Sequence, residues 1–163
     1  MKIRQVEPSD AKQIAEIYNF YVQNTHHTFE TEPVSFEEMH NRIGEIIENY
    51  PYFVAEENEG ILAFAYATKY KPRSAYKHSV EVSVYVKIGI KGKGFGTKLY
   101  EKLFEELKQS DFHAIIAGIA LPNEASIKLH ERFGFEKVAH FREVGFKLGK
   151  WIDVGYWELI NKR

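Results

Sequence analysis

The sequence contains no cysteine. That excludes a disulfide framework, a thiolate metal site and covalent catalysis through a thiol. Charge of one sign is also missing. The 22 basic side chains stand against 23 acidic ones, a net charge of -1, so no global field draws the chain to nucleic acid or to an anionic membrane. No apolar run approaches the roughly 18 residues of a membrane-spanning helix, and the opening Met1-Lys2-Ile3-Arg4 has no apolar signal core. The expectation is a soluble, cytoplasmic protein. The histidines are scattered without an H-E-x-x-H spacing, and His26-His27 read as solvated loop residues, so no metal is expected. No repeat, low-complexity tract or linker interrupts the chain, so residues 1–163 are expected to form a single domain. Its 44% apolar and 15% aromatic content excludes disorder and suffices for a real core.

What is there is organised around residues 80–107. Val80, Val82, Val84 and Val86 alternate with Glu81, Ser83 and Tyr85, the period of a strand with two distinct faces. Beyond the loop, Leu99, Tyr100, Leu103, Phe104 and Leu107 make one stripe of a helix. Between them Gly92, Gly94 and Gly96 occupy a strand-to-helix turn flanked by Lys91 and Lys93. Free N–H groups and the positive end of the helix dipole converge at such a turn, and residues without side chains let a phosphate approach them. The spacing G-x-G-x-G is not the dinucleotide fingerprint. The order Gly96-Thr97-Lys98 is not a P-loop either.

Taken from its start, the chain alternates over Lys2–Val6. A helix opens at Pro8-Ser9-Asp10, and an aperiodic loop covers 24–34. Ser35-x-x-Glu38 is a capping box for a second helix. Strands are predicted over 52–56 and 61–70, joined by a turn at 57–60, and over 113–119. A helix is predicted over about 123–133 with Gly134 as its cap. The last two strands, 135–141 and 151–160, are joined through the region of Gly145 and Gly149. The order is β-α-α-β-β-β-α-β-α-β-β. It predicts an α/β (α+β) sandwich with a mixed, mostly antiparallel sheet flanked by helices.

This order and the x-x-G-x-G turn following Lys91 resemble the GNAT superfamily of N-acetyltransferases. More narrowly, VEVSVYV, ALPNEASIKLHERFGF, GFKLGKWIDVGYW, the FETEP at 29–33 and Ala75-Tyr76 together resemble the phosphinothricin N-acetyltransferase family. The family usually carries Gln or Arg where Lys91 stands, and many relatives have Arg where Glu30 stands. The resemblance implies acetyl-CoA as co-substrate, a small amine as acceptor, no metal, and a homodimer paired through the C-terminal strands. The implied chemistry is direct acetyl transfer to the α-amino group of an amino acid such as phosphinothricin, methionine sulfone or methionine sulfoximine. A CoA-binding sensor without turnover, and an acetyltransferase of proteins or other amines, are the alternatives.

Read alone, Glu81 is an exposed strand carboxylate or a general base; a CoA loop just downstream favours the base. The resemblance places the pyrophosphate on Lys91, Gly92, Lys93, Gly94, Phe95, Gly96 and Thr97. The pantetheine arm runs along the backbone of Val84, Tyr85 and Val86, with Asn123 as a further contact and a helix N-cap. His130 is either the acid that protonates the departing thiolate, water being the other source, or a structural histidine. Lys71, Arg73, Tyr76 and Phe29 are expected around the acceptor. The aromatic stripe Phe133, Phe135, Phe141, Phe146, Trp151, Tyr156 and Trp157 is read as core and subunit interface.

Overall fold

The computed structural model describes residues 1–58, 60–90 and 92–162. Its elements are β1 (Lys2–Gln5), α1 (Ala11–Asn24), α2 (Phe36–Ile47), β2 (Tyr52–Glu57), β3 (Gly60–Lys69), β4 (Ser79–Val86), α3 (Phe95–Lys108), β5 (Ala114–Ala120), α4 (Glu124–Arg132), β6 (Glu136–Lys147) and β7 (Lys150–Ile160). The order is the one expected from the sequence. The strands form a single sheet in the order β1-β2-β3-β4-β5-β7-β6. Among the described residues only β4 and β5 pair in parallel; every other pair is antiparallel.

Each face of the sheet is covered by different helices. On one face Leu99, Leu103 and Leu107 of α3 are wholly buried against Val80, Val82, Ile115 and Ala117. The strand positions beneath them are small, Ala55, Ala63, Ala65 and Ala67, and this leaves room for the rings of Tyr100 and Phe104. On the other face Ile14 and Val22 of α1 and Ile43 of α2 pack on Val54 and Phe64. The start of α1 is tied down by Arg4, whose guanidinium makes a two-pronged contact with Asp10 at 2.8 and 2.9 Å. Ser35 caps α2 by accepting the Glu38 N–H at 3.0 Å.

The last hairpin differs from expectation. Strand β6 runs on to Lys147, and the tight turn lies at Leu148 and Gly149, both with positive φ. Gly145 lies inside the strand, where the pairing register shifts between Phe141 and Gly145. A side chain at 145 would collide with the ring of Phe29, so this glycine marks a close approach and not a chain reversal. The aromatic stripe divides. Phe135 and Trp157 are core, whereas Phe141, Phe146 and Trp151 are 52%, 59% and 65% exposed on the β6–β7 face. Among the described residues no helix is long and apolar enough to cross a membrane.

Candidate active site

The parallel pairing of β4 with β5 covers only Ser79–Glu81 against Ala114–Ile116. Beyond it β4 stays with β3 as far as Val86, and β5 stays with β7 as far as Ala120. The two strands therefore part like a V, with Glu81 at the apex. Lys87 donates its N–H to Leu62 O on β3 at 2.7 Å. Successive strand residues aim their N–H groups at opposite edges, so Val84 and Val86 aim theirs into the gap. A cleft of about 430 Å³ fills this gap, lined in part by Val84, Tyr85, Val86, Asn123 and His130.

At the wide end of the cleft stands the start of α3. Its N-cap is Gly94, left-handed at φ 74°, with no side chain capping the helix. Lys98 N–H returns to Gly94 O at 3.0 Å. The N–H groups of Phe95, Gly96 and Thr97 precede the first intrahelical bond and remain for an outside acceptor. Nothing lies within 4 Å of a Cβ built on Gly92 or Gly94, so the space before them is open. Gly96 has another reason to lack a side chain, since its Cβ would stand 3.2 Å from Leu129 of α4. The Phe95 ring is buried, which leaves only its backbone to face a ligand. Lys93 is exposed beside the turn, and Lys91 lies outside the described residues. Arg132, which no local sequence signal marks, reaches this helix start by donating to Thr97 Oγ1 at 3.3 Å.

Glu81 is half-buried on the face that also carries Ser83 and Tyr85. Burial raises its pKa, and among the described residues no cation offsets the loss of water. The phenols of Tyr66 and Tyr156 both feel its charge. His130 is only 3% exposed, and both of its ring nitrogens are engaged. Nδ1 lies 2.7 Å from Ser126 O, a carbonyl that only accepts, so Nδ1 carries the proton. Nε2 therefore accepts from the Tyr100 hydroxyl at 2.8 Å. Burial lowers the His130 pKa, which keeps the ring neutral. Asn123 uses its side-chain oxygen to cap α4, accepting Ser126 N–H at 3.2 Å.

The four residues expected around the acceptor fall into two groups. Lys71 lies over the rings of Tyr70 and Tyr76, 5.2 and 5.7 Å from their centroids. Arg73 is exposed one turn on, at the start of a short 3-10 turn. Phe29 belongs to a separate contact, against Gly145 of β6. Glu30 is held by Arg42 of α2 at 2.8 Å. Among the described residues no group of His, Asp and Glu is arranged to hold a metal.

The parted strands, the uncapped glycine turn and the carboxylate at the apex define an acetyltransferase of the GNAT type, and the chain belongs to that family. The acetyltransferase (GNAT) domain family matches residues 3–155. Within it the chain is similar to a phosphinothricin N-acetyltransferase of Streptomyces coelicolor, 41% identical over 97% of this chain and 95% of that one. It is 34% identical to an L-methionine sulfoximine/L-methionine sulfone acetyltransferase of Salmonella typhimurium, over 98% of this chain and 94% of that one. The crystal structure of a phosphinothricin acetyltransferase from Sinorhizobium meliloti in complex with acetyl-CoA superposes with a TM-score of 0.94 at 35% identity, covering 98% of this chain and 87% of that one.

The environment of Glu81 has a thermodynamic consequence. Its raised pKa means that the folded chain holds the proton to higher pH than the unfolded chain does. The folded state is therefore penalised once pH rises through the shifted value, and unaffected below the ordinary glutamate value of about 4.5. Glu81→Gln should unfold at a higher temperature than the parent at pH 8. That advantage should shrink to nothing on acidification toward pH 4, as followed by calorimetry without ligands.

Proposed function

We propose that the chain is an acetyl-CoA-dependent N-acetyltransferase whose acceptor is the α-amino group of a small amino acid of the phosphinothricin, methionine sulfone or methionine sulfoximine type. It acts in the cytoplasm as one domain spanning 1–163. The observation that carries this reading is the position of Glu81, a carboxylate with raised pKa at the apex of a cleft that leads to an uncapped helix start.

Acetyl-CoA supplies the acetyl group as an activated thioester. The free N–H groups of Phe95, Gly96 and Thr97, with Gly92, Lys93 and Gly94, hold its pyrophosphate, and Lys91 adds charge. The backbone of Val84, Tyr85 and Val86 pairs with the pantetheine arm, Asn123 is a further contact, and an N–H of the strand polarises the thioester carbonyl. Glu81 takes a proton from the acceptor's ammonium group, directly or through water, which frees the nitrogen lone pair for attack. The C–N bond forms as the C–S bond breaks. Of the two proton sources open to the thiolate, water in the cleft fits better than His130, because Nε2 bears no proton and accepts from Tyr100. Arg73 or Lys71 receives the acceptor's carboxylate, Arg73 with the fork to grip it at two points, while Tyr76 and Phe29 border its side chain. The exposed Phe141, Phe146 and Trp151, with Val144 and Leu148 beside them, support a homodimer through the β6–β7 face.

Glu81→Gln should lower turnover by about 10²–10⁴ while acetyl-CoA affinity changes only a few-fold, and the deficit should shrink at high pH. Near-normal turnover at pH 7 would remove Glu81 from the mechanism. Acetyl-CoA binding with no turnover across a panel of amino-acid acceptors would leave a sensor instead.

Gly94→Ala places a Cβ in the open space before the helix start. It should weaken acetyl-CoA binding about ten- to a hundredfold by calorimetry. The left-handed backbone adds a stability loss of about 1–2 kcal/mol. A folded variant with unchanged affinity would move the phosphate site elsewhere.

Arg73→Ala should raise the acceptor KM far more than it changes kcat, because the contact is common to ground and transition states. Esterifying the acceptor's carboxylate should damage the parent enzyme similarly and add little in the variant. Equal acetylation of ester and free acid by the parent would exclude Arg73 as the carboxylate partner.

A further inference from the structure

Tyr156 stands apart from the rest of the aromatic stripe. It is half-buried on β7, neither core like Trp157 nor as exposed as Trp151. The register places it directly across from Gly118 of β5. Gly118 lines the cleft and follows Ile116, the partner of Glu81, by two residues, so it shares the face of Glu81. A Cβ built on Gly118 would stand 3.1 Å from Tyr156 Cε1 and 3.6 Å from Cδ1 and Cζ. The backbone at Gly118 is not left-handed, so the glycine is there for close approach. It lets the tyrosine ring lie down on β5.

Cε1, the ring atom nearest the strand, neighbours the carbon that bears the hydroxyl. The hydroxyl is therefore carried out over β5, away from its own strand and toward the apex where β4 and β5 part. Glu81 is the diagonal neighbour of Gly118, and diagonal neighbours on one face are within reach of an aromatic side chain. From the β6 side Phe141 stands edge-on to the ring at 5.7 Å and braces it. Burial, and then the charges of Glu81 and Tyr70, raise the Tyr156 pKa, so the hydroxyl keeps its proton and can donate. Those two neighbours mark both ends of the proposed acceptor. Glu81 is where its amine would lose a proton, and Tyr70 carries Lys71 over its ring at 5.2 Å. The carboxylate of an α-amino acid is one carbon removed from its amine. An amine held at Glu81 leaves that carboxylate beside the Tyr156 hydroxyl.

We infer that Tyr156 is a substrate-binding residue whose hydroxyl donates a hydrogen bond to the acceptor's α-carboxylate, alongside the cation of Arg73 or Lys71. The inference rests on the amino-acid acetyltransferase reading above and adds a selection against amines without a carboxylate. A site built to hydrogen-bond a group rejects analogues lacking it more strongly than packing alone can.

The test compares methionine sulfone with the amine that remains when its carboxyl group is removed, in the parent and in Tyr156→Phe. The variant keeps the ring and loses only the hydroxyl. It should raise the KM for methionine sulfone about ten- to a hundredfold, the worth of one hydrogen bond to a charged group, with kcat changed only a few-fold. Acetyl-CoA affinity by calorimetry should stay at the parent value. Toward the amine without a carboxylate, kcat/KM should be the same in parent and variant. An equal loss on both acceptors, as a merely structural role would give, or no loss on methionine sulfone, overturns the inference. If the parent acetylates neither compound, the enzymatic reading falls, and the affinity for methionine sulfone by calorimetry still decides the contact. Weaker binding by Tyr156→Phe then upholds it, and equal binding or none overturns it.

Discussion

The structure depends on the place where two neighbouring strands stop pairing. A seven-stranded sheet normally satisfies every interior backbone group, and an unmet buried N–H costs about 1–3 kcal/mol. Here β4 and β5 exchange hydrogen bonds only as far as Glu81 and Ile116. The remainder of both inner edges faces a cleft. Such an opening persists only if something else holds the strands apart. Its sides are held by β3 and β7, its floor by Tyr100 of α3 with Leu129 and His130 of α4, and its far face by Tyr21 and His26 at and after the end of α1. On the proposed reading, the parting sets the direction in which the donor runs and brings its end to a carboxylate.

Burial acts on the carboxylate at the apex and on the histidine of the cleft in opposite senses. It pushes the pKa of Glu81 up and that of His130 down, and both changes favour the uncharged form. Positive charge is kept to the rim, at Lys93, Arg132 and the first turn of α3. The interior is thus uncharged where carbon chemistry would occur and cationic where phosphate would be bound.

Much of this was legible in the sequence because strand and helix periods survive tertiary packing. The alternation of Val80 to Val86 placed Glu81 on the face opposite the α3 core, and the glycines placed a turn before a helix. The length of β6 was not legible. Gly145 has the composition of a break, and only the ring of Phe29, far away in the chain, reveals it as a site of close approach. The ties made by the residues that follow α1 were hidden for the same reason. His26 meets Pro122, and Lys147 meets Thr28, through bonds between segments that carry no local signal. His130 shows the limit most clearly. Its residue type suggests an acid, but the partners Tyr100 and Ser126 fix its tautomer, and no spacing rule announces them.

The bare helix start at Gly94 has a kinetic side. On the reading proposed here it grips the diphosphate of the donor, the part that is identical in acetyl-CoA and in the free CoA left after transfer. A grip of that kind does not distinguish donor from product. Free CoA therefore competes for the same N–H groups at close to the donor's own affinity, less whatever contacts with the acetyl group add. Where donor and product together saturate the site, the rate follows the ratio of acetylated to free CoA, so an uncapped helix turns a transferase into a gauge of acetyl supply.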